Sequence, residues 1–220
     1  MKTTQDLPRK RGRQSHVNRE VVIQTALRLL AENPSRSVTM AEIASALGIV
    51  TMGLYKHVRN KDDLLAGMAE VLYADLDLTV DPDKSIDARF YQWTGKFRDF
   101  FLRRPYAHSL MAWDEQISSP LMGWTADLVL MLQAFGVPPE KMARTVTWLF
   151  REITAYVLFE STEKTGSQKA IANFDFSALS SERQDALKPI LPEIMSYTSD
   201  DLYRMHIEVV LAALKRVAAD

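Results

Sequence analysis

The stretch Thr39–Leu65, TMAEIASALGIVTMGLYKHVRNKDDLL, constrains this chain more than any other. Thr39 followed three residues later by Glu42 is a capping box, which starts a helix. Ile43, Ala44 and Leu47 give that helix an apolar stripe. Gly48 falls just past it, where a left-handed backbone is needed and glycine takes it at least cost. A second short helix is expected over Val50–Val58, anchored inward by Leu54, and the small Ala44 lets the two cross closely. Helix, glycine turn, helix is the arrangement that sets a second helix into the major groove of DNA.

Charge patterning fits a polyanion at this end only. Residues 1–65 hold 11 Lys/Arg against 6 Asp/Glu, a net of +5, while the remainder holds 16 against 22, a net of −6. The run Pro8-Arg9-Lys10-Arg11-Gly12-Arg13 lies in a polar arm, residues 1–17, too poor in apolar surface to fold alone. Beside a helix-turn-helix, Arg11 and Arg13 are expected along phosphates or in a minor groove. A merely solvated tail is the other reading of such a run.

The rest reads as all helix, without strand alternation or internal repeat. Asn18 caps a first helix through Val22, Ala26, Leu29 and Leu30 that ends near Asn33-Pro34. Lys61-Asp62-Asp63 opens a helix running without a Gly or Pro linker to Leu76. Further helices are expected over Ala88–Phe101, Pro105–Ala112, Pro120–Phe135 and Pro138–Glu160, with the last of these apolar nearly all round and therefore central. A looser segment at 164–180 precedes a short helix, Ser181–Ile194, and a last helix capped by Ser199. That last helix is expected to bury Leu202, His206, Val209, Val210, Ala213 and Val217. The domains expected are the arm at 1–17, a DNA-binding domain at 18–66 and an effector-binding and dimerisation domain at 67–220.

With 47% apolar and 25% charged residues the composition is that of a globular protein. Cysteine is absent, which excludes disulfides, thiol nucleophiles and Cys metal sites and suits the cytoplasm, the expected location. No secretory h-region or membrane-length apolar run is present. The four histidines, His16, His57, His108 and His206, are scattered, and no phosphate loop, HExxH or GxSxG occurs. Neither catalysis, a cofactor nor a bound metal is expected.

The chain resembles the tetracycline-repressor (TetR) family of transcriptional regulators. The resemblance is carried by Gly48-Ile49, by Leu54-Tyr55-Lys56-His57-Val58 and by Lys61-Asp62-Asp63-Leu64-Leu65, and is strongest from Asn18 to about Leu76. It implies an all-α fold with a three-helix DNA-binding domain and a helical body that binds a small effector and dimerises through its last two long helices. It further implies that Thr39 meets a phosphate and that Thr51, Met52 and Gly53 face base edges. Tyr55, His57 and Lys61 would touch the DNA backbone, and Lys56 either base or phosphate. One departure is the lack of an Arg, Asn or Gln base reader in Val50–Gly53. Specificity would then lean on the Thr51 hydroxyl, on Met52 against thymine methyls and on DNA shape. A second is the absence of a histidine pair for a metal-chelated antibiotic.

Body residues expected to line an apolar effector cavity are Met68, Leu72, Trp93, Phe97, Phe101, His108, Met111, Trp113, Trp124, Met131, Trp148, Arg151 and Tyr156. Any one aromatic among them has a plain core role as its alternative. Arg151 and Glu152 interrupt the apolar central helix and need partners if buried. Val146, Phe150, Ile153, Val157, His206, Val209, Val210, Ala213 and Val217 are expected at a dimer interface. The expected function is a dimeric repressor of a palindromic operator, released by a mostly apolar effector. The alternative is a helical binding or scaffold protein whose helix-turn-helix docks a protein.

Overall fold

The computed structural model describes residues 17–34, 37–111, 118–162 and 167–219, without the side chains of Thr162, Ser167, Gln168 and Lys169. Arg11, Arg13 and Trp113 lie outside the described residues. The fold is all-α, with no strand among those residues. Two compact units meet between Met68 and Ala69.

The first unit begins with α1 (Arg19–Glu32), capped by Asn18, whose side chain accepts from Val21 N at 2.8 Å. Helix α2 (Met40–Leu47) packs on α1, and α3 (Thr51–Leu54) packs on α2. Ile43, Ala44, Leu54 and Val58 are buried with Val22, Ala26 and Leu30 of α1. Helix α4 (Lys61–Ala74) runs through the boundary between the units. Gly67 on α4 faces Ile23 of α1, and a Cβ there would come within 2.6 Å of Ile23 Cδ1.

Around the glycine turn and along α4, two boundaries differ from the sequence reading. The second motif helix is one turn, Thr51–Leu54, followed by turns, because His57 and Val58 N–H both fold back to Leu54 O. Helix α4 stops at Ala74 rather than Leu76. Its end tightens to three-residue bonds, and Asp77 accepts from Thr79 N at 2.9 Å, a local turn that competes with the helix.

The second unit is built on α5 (Ile86–Arg103), which packs against α6 (Ser119–Ala134), α7 (Pro139–Thr162) and a 3₁₀ segment, Pro105–Leu110. The aromatic stripe read from sequence is its core. Trp93 stacks on Phe97 at 5.6 Å between centroids, Phe97 lies 4.7 Å from Phe101, and Trp124 meets Phe97 edge-on. The expected 164–180 loop holds α8 (Ser167–Ala172) and a 3₁₀ turn. Ser181–Ile194 is two short helices, α9 (Ser181–Leu187) and α10 (Leu191–Ile194), since Pro189 in the gap, and Pro192 after it, have no N–H to continue one ladder. Helix α11 (Ser199–Ala219) packs on α7.

Helix α7 is not buried all round. Thr145, Leu149, Ile153 and Val157 face inward, while Trp148, Leu158 and Phe159 are exposed. On α11 the inward row is Tyr203, Ile207, Val210 and Leu214; Val209, expected inside, is 64% exposed. Both helices are apolar on two sides, so periodicity gave the width of the stripe and misplaced its centre.

Candidate functional sites

The turn between α2 and α3 is shaped by its own sequence. Thr39 Oγ1 accepts from Glu42 N at 3.3 Å, and the Glu42 carboxylate accepts from Thr39 N at 2.9 Å. At the other end Gly48 has φ +67°, with Ile49 N donating to Ala44 O and Gly48 N to Ser45 O, a Schellman close. This presents Val50 and Met52, each 75% exposed, together with exposed Thr51, Tyr55 and Lys56, beside half-buried Gly53 and His57. Lys56 and Lys61 are exposed and form no ion pair among the described residues. Their charges are therefore available to an anion. Thr39 is less available than expected, because its hydroxyl also donates to Glu42 Oε2 at 2.8 Å.

Asp63 fixes the start of α4. Its carboxylate accepts from Arg19 Nη1 at 2.8 Å, Arg19 Nη2 at 3.0 Å and Arg59 N at 2.8 Å, while its own N–H donates to Asn60 Oδ1. The Arg19 hydrogen bonds, foremost, hold the carboxyl below its ordinary value. The LysAspAsp turn was read as a helix start; its role as an anchor for α1 depends on Arg19, 44 residues away in the chain, and has no local signal.

In the body, Trp93, Phe97, Phe101, Trp124, Met131, Met68 and Leu72 are all buried. His108 stacks on Phe101 at 4.3 Å, and neither ring nitrogen has a hydrogen-bond partner among the described residues. Burial pushes its pKa down to about 4. Met111 is half-buried at the end of the 3₁₀ segment. Three grooves are lined wholly by described residues. Trp93 and Met131 reach one of about 220 Å³, with Leu78, Val80, Arg89 and Asp127. Trp148 and Arg151 lie in an open groove of about 580 Å³ on the outer side of α7. Tyr156 lines a third, about 310 Å³, between α7 and α11 with Phe159, Met205, His206 and Val209. The expected pocket residues are thus divided between a packed core and separate grooves.

The expected interface residues divide too. Ile153, Val157 and Val210 are core of the chain itself and cannot also face a partner. Val146, Phe150, Ala213 and Val217 are half-buried. His206 stacks on Tyr156 at 4.2 Å and has Nδ1 4.0 Å from Glu152 Oε1; burial, the larger influence, lowers its pKa and Glu152 partly restores it. Arg151 is exposed and Glu152 is half-buried, so the concern about buried charge does not arise there. It arises at Arg98, which sequence reading passed over. Arg98 Nε donates to Glu160 Oε2 at 2.7 Å, Nη2 reaches Asp200 Oδ1 at 2.8 Å, and the guanidinium lies 4.5 Å from the Tyr203 ring centre. A single charge one residue from Phe97, on the face of Phe90, Thr94 and Phe101, was the signal.

Residues 22–68 match the family model for bacterial regulatory proteins of the tetR family. No curated protein matches the chain in sequence. The fold is similar to that of apo ActR from Streptomyces coelicolor, with a TM-score of 0.77 at 18% identity over 94% of this chain and 99% of ActR. ActR in complex with actinorhodin gives 0.75 at 18% identity over 91% and 96%. BioQ with its double-stranded DNA operator gives 0.64 at 16% identity over 91% and 99%. The exposed α3 turn thus sits inside a segment that matches a family of regulators, and the helices beyond it follow the fold of solved relatives. The N-terminal module of this chain, over residues 22–68, matches the tetR family of bacterial regulatory proteins, and the chain as a whole has the fold of ActR.

Proposed function

We propose that the chain is a ligand-responsive transcriptional regulator, a repressor that binds a palindromic operator as a homodimer and is released by a small, mostly apolar effector. The observation that carries this is the turn at Gly48, which leaves Thr51 and Met52 exposed at the start of α3, and Tyr55 and Lys56 exposed just past its end, within the family-matched segment. Helix N-termini and unpaired amines suit phosphate, and the Met52 thioether suits thymine methyl groups. ActR is known with actinorhodin and BioQ with a DNA operator, which supports a ligand and an operator here. The domains proposed are a DNA-binding unit over 18–66 and an effector-binding and dimerisation unit over 67–220. Two recognition turns would then meet major grooves about one DNA turn, roughly 34 Å, apart. An effector that favours a different spacing from the one the operator favours must weaken DNA binding, and the reverse.

The test is duplex retention against salt. Lys56→Ala and Lys61→Ala should each flatten the logarithmic salt slope by roughly one unit per site, doubled in a dimer. Met52→Ala should instead change which sequences bind. No retention on any duplex, with retention of a protein partner in its place, would make the helix-turn-helix a protein-docking module.

A further inference from the structure

One groove in the body holds two buried donors without acceptors among the described residues, with an exposed carboxylate on its wall. Trp93 is 1% exposed, yet its indole Nε1, buried, has no hydrogen-bond acceptor among the described residues. Arg89, one helical turn earlier on α5, buries its Nε in the same condition and forms no ion pair among those residues. Both side chains line the 220 Å³ groove bounded by Leu78, Val80 and Met131. Asp127 of α6 also lines this groove, solvent-exposed and without an ion pair among the described residues. Arg89 and Asp127 do not pair with each other. A buried indole N–H and a guanidinium edge left without acceptors are costly, and both are relieved by one acceptor group entering between them. The exposed Asp127 carboxylate on the wall of the same groove offers an amine a partner.

We propose that this groove binds a small monocyclic molecule bearing a carboxylate at one end and an amine at the other. The carboxylate is taken by the Arg89 guanidinium and the Trp93 indole N–H. The amine meets Asp127, and the ring lies on Leu78, Val80 and Met131. Size fits the class: a closed cavity of about 150 Å³ accommodates benzene, so 220 Å³ has room for one ring with short substituents. The site rests on the groove's own groups and stands whether or not the chain binds DNA.

The probe is 4-(aminomethyl)benzoate, with benzoate and benzylamine as single-ended controls, titrated into the full chain labelled with ¹⁵N at tryptophan. The two-ended probe should shift one indole N–H, identified as Trp93 by its absence from Trp93→Phe. It should bind about tenfold or more tighter than either control. Arg89→Gln should weaken the two carboxylate probes about tenfold and leave benzylamine unchanged, and Asp127→Asn should do the converse. Both variants sit at groups without partners, so their folding, checked by circular dichroism, should match the wild type. The proposal is overturned if no probe moves the Trp93 indole at millimolar concentration. It is equally overturned if the two-ended probe binds no better than its halves, or if neither variant alters affinity. Loss of operator binding alone would bear on the regulatory reading and not on this site.

Discussion

Two adjacent substitutions, Val209→Glu and Val210→Glu, should fail in opposite ways. Val209 is 64% exposed on the outer side of α11, near exposed Met205 and Phe159, whereas Val210 is 2% exposed among the residues that pack α11 on α7. Fully burying a valine is worth roughly 1.5–3 kcal/mol, so covering the exposed part of Val209 in a dimer contributes about 1–2 kcal/mol per copy. In the proposed two-fold dimer both copies make this contact, giving about 2–4 kcal/mol, or roughly 30- to 900-fold in dimer Kd. A glutamate loses all of this and adds two like charges, so that range is a lower bound. The protomer should stay folded. Val210→Glu instead places a carboxylate in the protomer core at a cost of several kcal/mol, a large share of a typical 5–15 kcal/mol stability. Sedimentation equilibrium and thermal unfolding, read together, separate the two: a folded monomer for Val209→Glu, a lowered melting temperature for Val210→Glu. A Val209→Glu dimer as tight as the wild type, with protomer stability unchanged, would refute the placement of the partner face.

Gly48→Ala forces a side chain into φ +67° where no neighbour lies within 4 Å, so backbone strain alone should cost about 1–2 kcal/mol in urea unfolding, and Gly48→Asn less. Asp63 has a depressed folded pKa, so its stabilising contribution is present above the ordinary value of 3.8 and is lost as pH falls through the folded value. Asp63→Asn should therefore flatten the acid limb of stability against pH; a limb as steep as the wild type's would count against the Arg19 anchor. Glu160→Gln should cost about 1–3 kcal/mol, because Arg98 loses its nearly buried counter-charge and keeps only the exposed Asp200, and a double-mutant cycle with Arg98→Met that proves additive would argue against coupling.

What was legible in the sequence was local. The capping box at Thr39, the glycine close at Gly48 and the start at Lys61 depend on residues within a few positions, and each stands where the pattern put it. The aromatic stripe of α5 was legible as a stripe, though periodicity could not tell a packed core from a cavity wall. The outward face of α11 was not legible, since Val209 and Val210 are equally apolar and their fates depend on contacts with α7. Nor were the pairs Arg19–Asp63 and Arg98–Glu160, which join positions far apart in the chain. That Arg89 and Asp127 stand on one groove emerges only when α5 and α6 flank it.

The shortness of α3 sets a limit on how much a single protomer can know about its operator. Four helical residues rise about 6 Å at 1.5 Å each, less than two base-pair steps of 3.4 Å. A reader of that span distinguishes about two base pairs, roughly four bits, and its symmetric copy repeats the same message rather than adding a new one in a perfect palindrome. A word that short recurs by chance far too often in a genome of about 10⁶ base pairs or more to mark one site. On the proposed reading, further discrimination comes from Lys56 beyond the helix, from the basic arm, and from groove width and bendability of the DNA between the half-sites, where single-base changes outside the contacted positions should still weigh.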